Sequence, residues 1–117
     1  MEYDEVVFSR LSKVCKGAYQ EFQKGKAPPL PWFVYTHRNG EEFHADNENY
    51  LSLPRYRVEL YFKEVDKDLI RRFEAALSDL GTWRRYSDGY IESERCHMHD
   101  YNLAASPTKL EEIGEQP

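Results

Sequence analysis

The tripeptide His97-Met98-His99 holds the side chains best suited to metal chemistry. Residues two apart share a face of an extended strand, so both imidazoles would point the same way. With His44 or Cys96 they would form part of a ligand set. Cys96, however, falls on the opposite face of a regular strand, and a structural zinc site needs four close ligands at recognised spacing. The histidines read better as surface or interface residues, and no metal or other cofactor is expected. Acid–base chemistry needs carboxylates held in a low-dielectric pocket with displaced pKa values. Glu41, Glu42, Asp46, Glu92 and Glu94 are candidates, and Glu92 and Glu94 share one face of the expected strand. All lie in very polar stretches, which suit a solvated face or a subunit contact. Ser9, Ser52, Ser87, Ser93 and Ser106 sit in no GxSxG elbow. Neither GxxxxGK[ST] nor GxGxxG occurs. Cys15 is expected as a buried, inert thiol on the apolar side of a helix. Nothing in the spacing of His37, His44, His97 and His99 requires a catalytic pocket, and the chain is expected not to be an enzyme.

The elements that would position these groups follow from periodicity. Val7, Leu11, Val14, Ala18 and Phe22 recur at three- and four-residue spacing, which predicts a helix over 4–24. Asp4 is its expected N-cap, and Lys24 with Gly25 suits its end. Gly17 is a weak spot inside it, or a point of close approach. Trp32 to Thr36 is rich in strand formers, and Asn39-Gly40 then predicts a hairpin pairing 32–38 with about 41–45. Residues 46–54 read as a loop or irregular strand. Arg55 to Lys63 alternates strictly: Tyr56, Val58, Leu60 and Phe62 inward; Arg55, Arg57, Glu59, Tyr61 and Lys63 outward. A second helix is expected over about 67–80. It has Asp66 as N-cap, a staple between Val65 and Ile70, and Gly81 as its end. A second hairpin follows, with Trp83 to Tyr86, a turn at Ser87-Asp88-Gly89, and a strand from Tyr90 to about Leu103.

The fold class expected is therefore α+β: a mainly antiparallel sheet of about four or five strands with two helices on one face, in the order α-β-β-β-α-β-β. Residues 1–103 form the single domain of this reading. Residues 104–117, with Glu111, Glu112 and Glu115, are expected as a mobile acidic tail. The length of 117 residues suits one domain, and aromatics at 15% mark a chain that folds. Two cysteines, Cys15 and Cys96, without a CxxC pair or an apolar leader, fit free thiols in a reducing compartment. No stretch approaches the apolar length of a membrane span. A net charge of −5 argues against nucleic-acid binding as the main role, with Arg71-Arg72 and Arg84-Arg85 the one candidate basic patch.

Nine Tyr, six Phe and two Trp exceed what so small a core can hide. Tyr61 is expected outside, beside Arg57 and Glu59, and Tyr, Trp and Arg are the types enriched at binding hot spots. Phe43 to Tyr50, then Tyr56-Arg57-Val58-Glu59-Leu60-Tyr61-Phe62, then Asp66 opening a helix, then Tyr90 to Glu94 after a turn, resembles a family of small proteins over about residues 30–103. These are the tail terminator, or minor tail and head–tail joining, proteins of long-tailed bacteriophages and prophages of Gram-positive bacteria. The resemblance implies a structural virion protein. It would form a homo-hexameric ring that caps the tail tube and joins it to the head connector, after assembly in the host cytoplasm. Its implied partners are itself, the major tail tube protein and the connector proteins, with DNA only passing through the lumen. An acidic lumen would let DNA slide, because like charge repels phosphate. Arg57, Glu59, Tyr61, Asn39, Gly40 and Tyr50 are the expected subunit-interface residues. The alternatives are another head–tail joining or tail assembly protein, or a small regulatory protein that binds a host factor.

Overall fold

Strict alternation sets the central strand. Tyr56, Val58, Leu60 and Phe62 are buried, while Arg55, Arg57, Glu59 and Tyr61 point the other way. The structure, a computed structural model, describes residues 3–23, 25–38 and 54–114. In chain order these form α1 (Tyr3–Ser12), β1 (Lys16–Tyr19), β2 (Trp32–Arg38), β3 (Arg55–Phe62), α2 (Lys67–Leu80), β4 (Gly81–Ile91), β5 (Cys96–Ala105) and α3 (Pro107–Gly114). The strands make one five-stranded sheet in the order β1-β2-β3-β5-β4. β1 runs parallel to β2, and every other pair is antiparallel. Val6, Val7 and Leu11 of α1, the buried stripe of α2 and Leu110 of α3 all meet the same sheet face. There they form one core with Phe33, Tyr35, Val58, Leu60 and Tyr101. The α+β class is thus as the periodicity indicated, with three helices in place of two.

The first helix is shorter than expected. It ends at Ser12, and residues 16–19, expected as its continuation, form the parallel edge strand β1. The reason lies at Gly17, which stands opposite Phe33 in the register. A Cβ there would sit 2.2 Å from the Phe33 ring, so the missing side chain is what lets the aromatic lie flat against the strand. Asp4 also departs from its expected role. It lies inside α1, where its Oδ1 accepts from the Tyr56 hydroxyl at 2.5 Å and ties the helix to the sheet.

The second helix has the bounds expected of it. The Asp66 carboxylate accepts from the N–H groups of Asp68 (3.0 Å) and Leu69 (3.1 Å), satisfying donors that have no partner within the helix. Val65 is 62% exposed, so the expected staple adds little burial. Replacing the cap, Asp66→Ala, should lower stability by about 1 kcal/mol, read as a lower urea midpoint with unchanged slope. Gly81 ends the helix and starts β4. Its N–H donates to the Leu77 carbonyl, and a Cβ would lie 2.2 Å from the Ala104 carbonyl oxygen.

Two expectations at the C-terminal end need correction. The turn of the second hairpin lies at Glu92–Arg95, and Asp88-Gly89 sits inside β4, opposite His99 and Met98. An irregularity between Arg85 and Ser87 takes up the extra residue, Tyr86. The ladder along β5 outweighs the local preference of Asp-Gly for a turn, and a bulge absorbs the mismatch. Glu92 and Glu94 therefore belong to the turn and share no strand face. The body does not stop at 103: β5 runs to Ala105, and 107–114, placed in a mobile tail, form α3 with Leu110 fully buried. The proposed pairing of 41–45 lies outside the described residues. β2 pairs with β3 over its whole length and with β1 over its first four residues.

Candidate functional site

All the described helices cover one sheet face, so the side chains of the other face are the ones that the core does not claim. Three of the expected interface residues come together there. Arg57, Glu59 and Tyr61 alternate along β3 and point outward, as the spacing indicated. Asn39, Gly40 and Tyr50 lie outside the described residues.

Tyr61 stands opposite Trp32 in the register, with ring centroids 4.6 Å apart, and Phe22 packs edge-on against Trp32 at 5.0 Å. Phe22 arrives on the connection between β1 and β2, which crosses to the outer face. Burial first, and the neighbouring Glu59 second, push the Tyr61 phenol up to about 12, so it stays a neutral donor. Arg57 is held as a fork against Asp100 of β5. Its Nη2 donates to Oδ2 at 2.8 Å and its Nε to Oδ1 at 3.2 Å, while Nη2 also lies 3.3 Å from Glu59 Oε2. The Asp100 side chain is 4% exposed and that of Arg57 50%, so a buried carboxylate fixes a guanidinium that still faces outward. Asp100 had no signature in the sequence. The alternation of β5 places it opposite Glu59 only once the β3–β5 register is known.

The same registers assemble a second group. Arg38 and Arg55 are direct cross-strand partners, and Arg84 stands opposite Asn102, itself opposite Arg57. Arg38 donates to Asn102 Oδ1 at 3.2 Å. Among the described residues no carboxylate lies within ion-pair distance of Arg38, Arg55 or Arg84. The candidate basic patch of Arg71-Arg72 with Arg84-Arg85 does not form. Arg71 and Arg72 pair with Asp68 on their own helix, and Arg84 and Arg85 point to opposite faces.

On the helix-side face, His97 and His99 do share one side, and Cys96 the other. Among the described residues no three His, Cys, Asp or Glu side chains converge as a metal ion would need. His99 is instead part of a polar network. Tyr101 donates to Glu74 Oε2 at 2.8 Å, and His99 Nδ1 lies 3.1 Å from the Tyr101 hydroxyl and 3.3 Å from Arg85 Nη1. Burial, and then the Arg85 charge, hold the His99 pKa below its ordinary 6.5, while Asp88 and Glu74 act the other way. A depressed value means that the unfolded chain takes the proton first. The contribution is therefore intact above about pH 6.5 and lost as the pH falls towards the folded value. The urea midpoint should drop between neutral pH and about pH 5, and less so in His99→Gln. An equal drop in the variant would place the titration elsewhere.

Cys15 lies past the end of α1, not on its apolar side, and burial pushes its thiol up to about 12, so little thiolate forms at neutral pH. No described helix is long and apolar enough to cross a membrane. No family model, curated protein or solved structure matches this chain.

Proposed function

We propose that this protein acts by binding protein subunits and not by catalysis, as the tail terminator of a long-tailed phage. In this reading it forms a ring that closes the tail tube and joins it to the head connector, in the virion, after assembly in the host cytoplasm. The observation that supports the reading is the sheet face that no described helix covers. It carries the Trp32–Tyr61 pair and, further along the strand of Tyr61, Arg57 held by a buried carboxylate. Aromatic and arginine side chains that are already ordered lose little freedom on association, which is what a small contact between subunits needs. A ring requires contact between two different patches of the same subunit. A sheet with all its described helices on one face offers two different surfaces for such patches. DNA passes through the lumen, lined by acidic surface that repels phosphate. A ring structure with a basic lumen would refute that part.

The test is the mass of the purified protein by light scattering over a range of concentration, alone and with tail tubes added. A hexamer, or a monomer that becomes a ring on tube ends and halts tube growth, supports the reading. A strict monomer or dimer that ignores tubes removes it in favour of a regulator that binds a host factor.

A further inference from the structure

The arginines on the open face are placed at a cost. Like charges directly opposite one another on neighbouring strands repel, and Arg38 and Arg55 occupy such a pair. Arg84 lies in the next row, separated from Arg57 by Asn102. Arg57 is neutralised by Asp100 and Glu59; the other three are not neutralised by any described carboxylate. Nothing in the core requires them, because all three are exposed. Their surroundings are equally one-sided. Thr36, Arg38, Arg57, Tyr86 and Asn102 line a hollow of about 500 Å³, and no carboxylate side chain is among them. Asn102 gives its carbonyl oxygen to Arg38, and among the described residues no side chain accepts from its amide N–H groups. A second hollow of about 310 Å³ adjoins the first, shares Arg38 and Asn102 with it, and brings in Arg55, Arg84 and Thr82. Tyr86, 70% exposed, stands at the rim. The whole is a donor surface shaped for oxyanions.

We infer that this surface receives carboxylates from a second copy of the same chain, in a head-to-tail contact. Charge selects the partner. The chain carries −5 overall, so setting aside the three positive charges of Arg38, Arg55 and Arg84 leaves −8 for the rest of it. Long nucleic acid would be repelled by that remainder, whereas a second copy presents it as the complement. Charge also selects the geometry. A symmetric contact of this face with itself would bring arginines against arginines, so the two copies must use different faces. The acidic counterpart is the α1–α3 side of the helix layer, across the sheet from the arginines. There Tyr3 of α1 donates to Glu111 of α3 at 2.9 Å, and Glu5, Glu111 and Glu112 are exposed. The inference rests on the ring reading only in taking a second copy as the partner; it adds which faces meet.

The experiment uses charge reversal and mixing. One full-length chain carries Arg38→Glu with Arg55→Glu, a second carries Glu5→Lys with Glu112→Lys, and a third carries the neutral Arg38→Gln with Arg55→Gln. Circular dichroism verifies that each folds. Self-association of the natural chain should weaken as salt rises. Each reversed chain alone should associate at least roughly tenfold more weakly, the neutral chain should fall between, and an equimolar mixture of the two reversed chains should recover. Association of the arginine variants at natural strength, no recovery on mixing, or a natural chain that never associates overturns the inference. So does a single-stranded oligonucleotide that binds the natural chain and not the arginine variants, with self-association unchanged. Rings on tube ends that ignore the arginine changes would sink this contact and leave the ring reading standing. Arginine-dependent association with no capping of tubes would do the reverse.

Discussion

Removing residues 107–117 should unfold the protein or leave it barely stable. Helix α3 supplies Leu110, fully buried, and Ile113 packs against the same core. Tyr3 donates to Glu111, and Lys109 Nζ donates to the Ser78 carbonyl at 3.2 Å, so the helix is tied to both α1 and α2. Truncating Leu110 alone, Leu110→Ala, should cost roughly 2–5 kcal/mol, the usual range for a fully buried leucine. Losing the whole helix also opens the part of the core that it shares with α1. Set against a total stability of about 5–15 kcal/mol, that loss is decisive. Urea unfolding followed by circular dichroism gives the answer. A truncated chain with the natural midpoint would mean that the segment is the dispensable tail its composition resembles.

Gly17→Ala separates two readings of the first twenty residues by the sign of its effect. In a helix interior, replacing glycine by alanine stabilises by about 1 kcal/mol. In β1 the new methyl would stand 2.2 to 2.5 Å from three ring atoms of Phe33. That ring has no free space to enter: it is fully buried, 5.7 Å from Phe73, 6.1 Å from Phe8 and 6.3 Å from Tyr35 between centroids. The expected outcome is a loss of roughly 2–3 kcal/mol, the upper part of the range for overpacking a core. A double variant, Gly17→Ala with Phe33→Leu, should lose less than the sum of the two single changes, because the smaller side chain makes room for the methyl. A stabilised Gly17→Ala protein would restore the long helix.

Where one period dominated, the sequence was legible. α2 has the bounds that helical spacing indicated, and β3 ends only one residue before the expected Lys63, because each has one buried face with a clear period. Residues 16–22 carried an apolar stripe at helical spacing that is satisfied in another way. Ala18 sits in a strand, and Phe22 crosses to the outer face to meet Trp32. Spacing alone does not say on which partner a side chain is buried. The Asp88-Gly89 pair misled for the opposite reason: a strong local turn signal lost to a longer ladder. At α3 an acidic, small-residue composition hid one buried leucine. Arg57, Glu59 and Tyr61 were readable as an outward set because they lie on one strand. Asp100, Arg38, Arg55 and Arg84 became a set only through register and contacts such as Arg38–Asn102, 64 positions apart along the chain, which leave no mark in any single window.

The sheet order has a consequence for how the chain is made. β3 lies between β2 and β5, so it waits across α2 and β4 for its second neighbour. The Tyr3–Glu111 hydrogen bond then joins positions 108 residues apart. Contacts of such separation must be reached by diffusion before they stabilise anything, so they slow folding relative to a helical bundle of the same size. During synthesis the N-terminal helix and the first three strands leave the ribosome with one flank of the central strand open and part of the core uncovered. In that early segment β2 can pair with β1 and β3, but β3 gains its second neighbour only with β5, and α1 acquires its last partner only after α3 has cleared the exit. Until then the exposed flank of β3 is the place where a second nascent chain could pair.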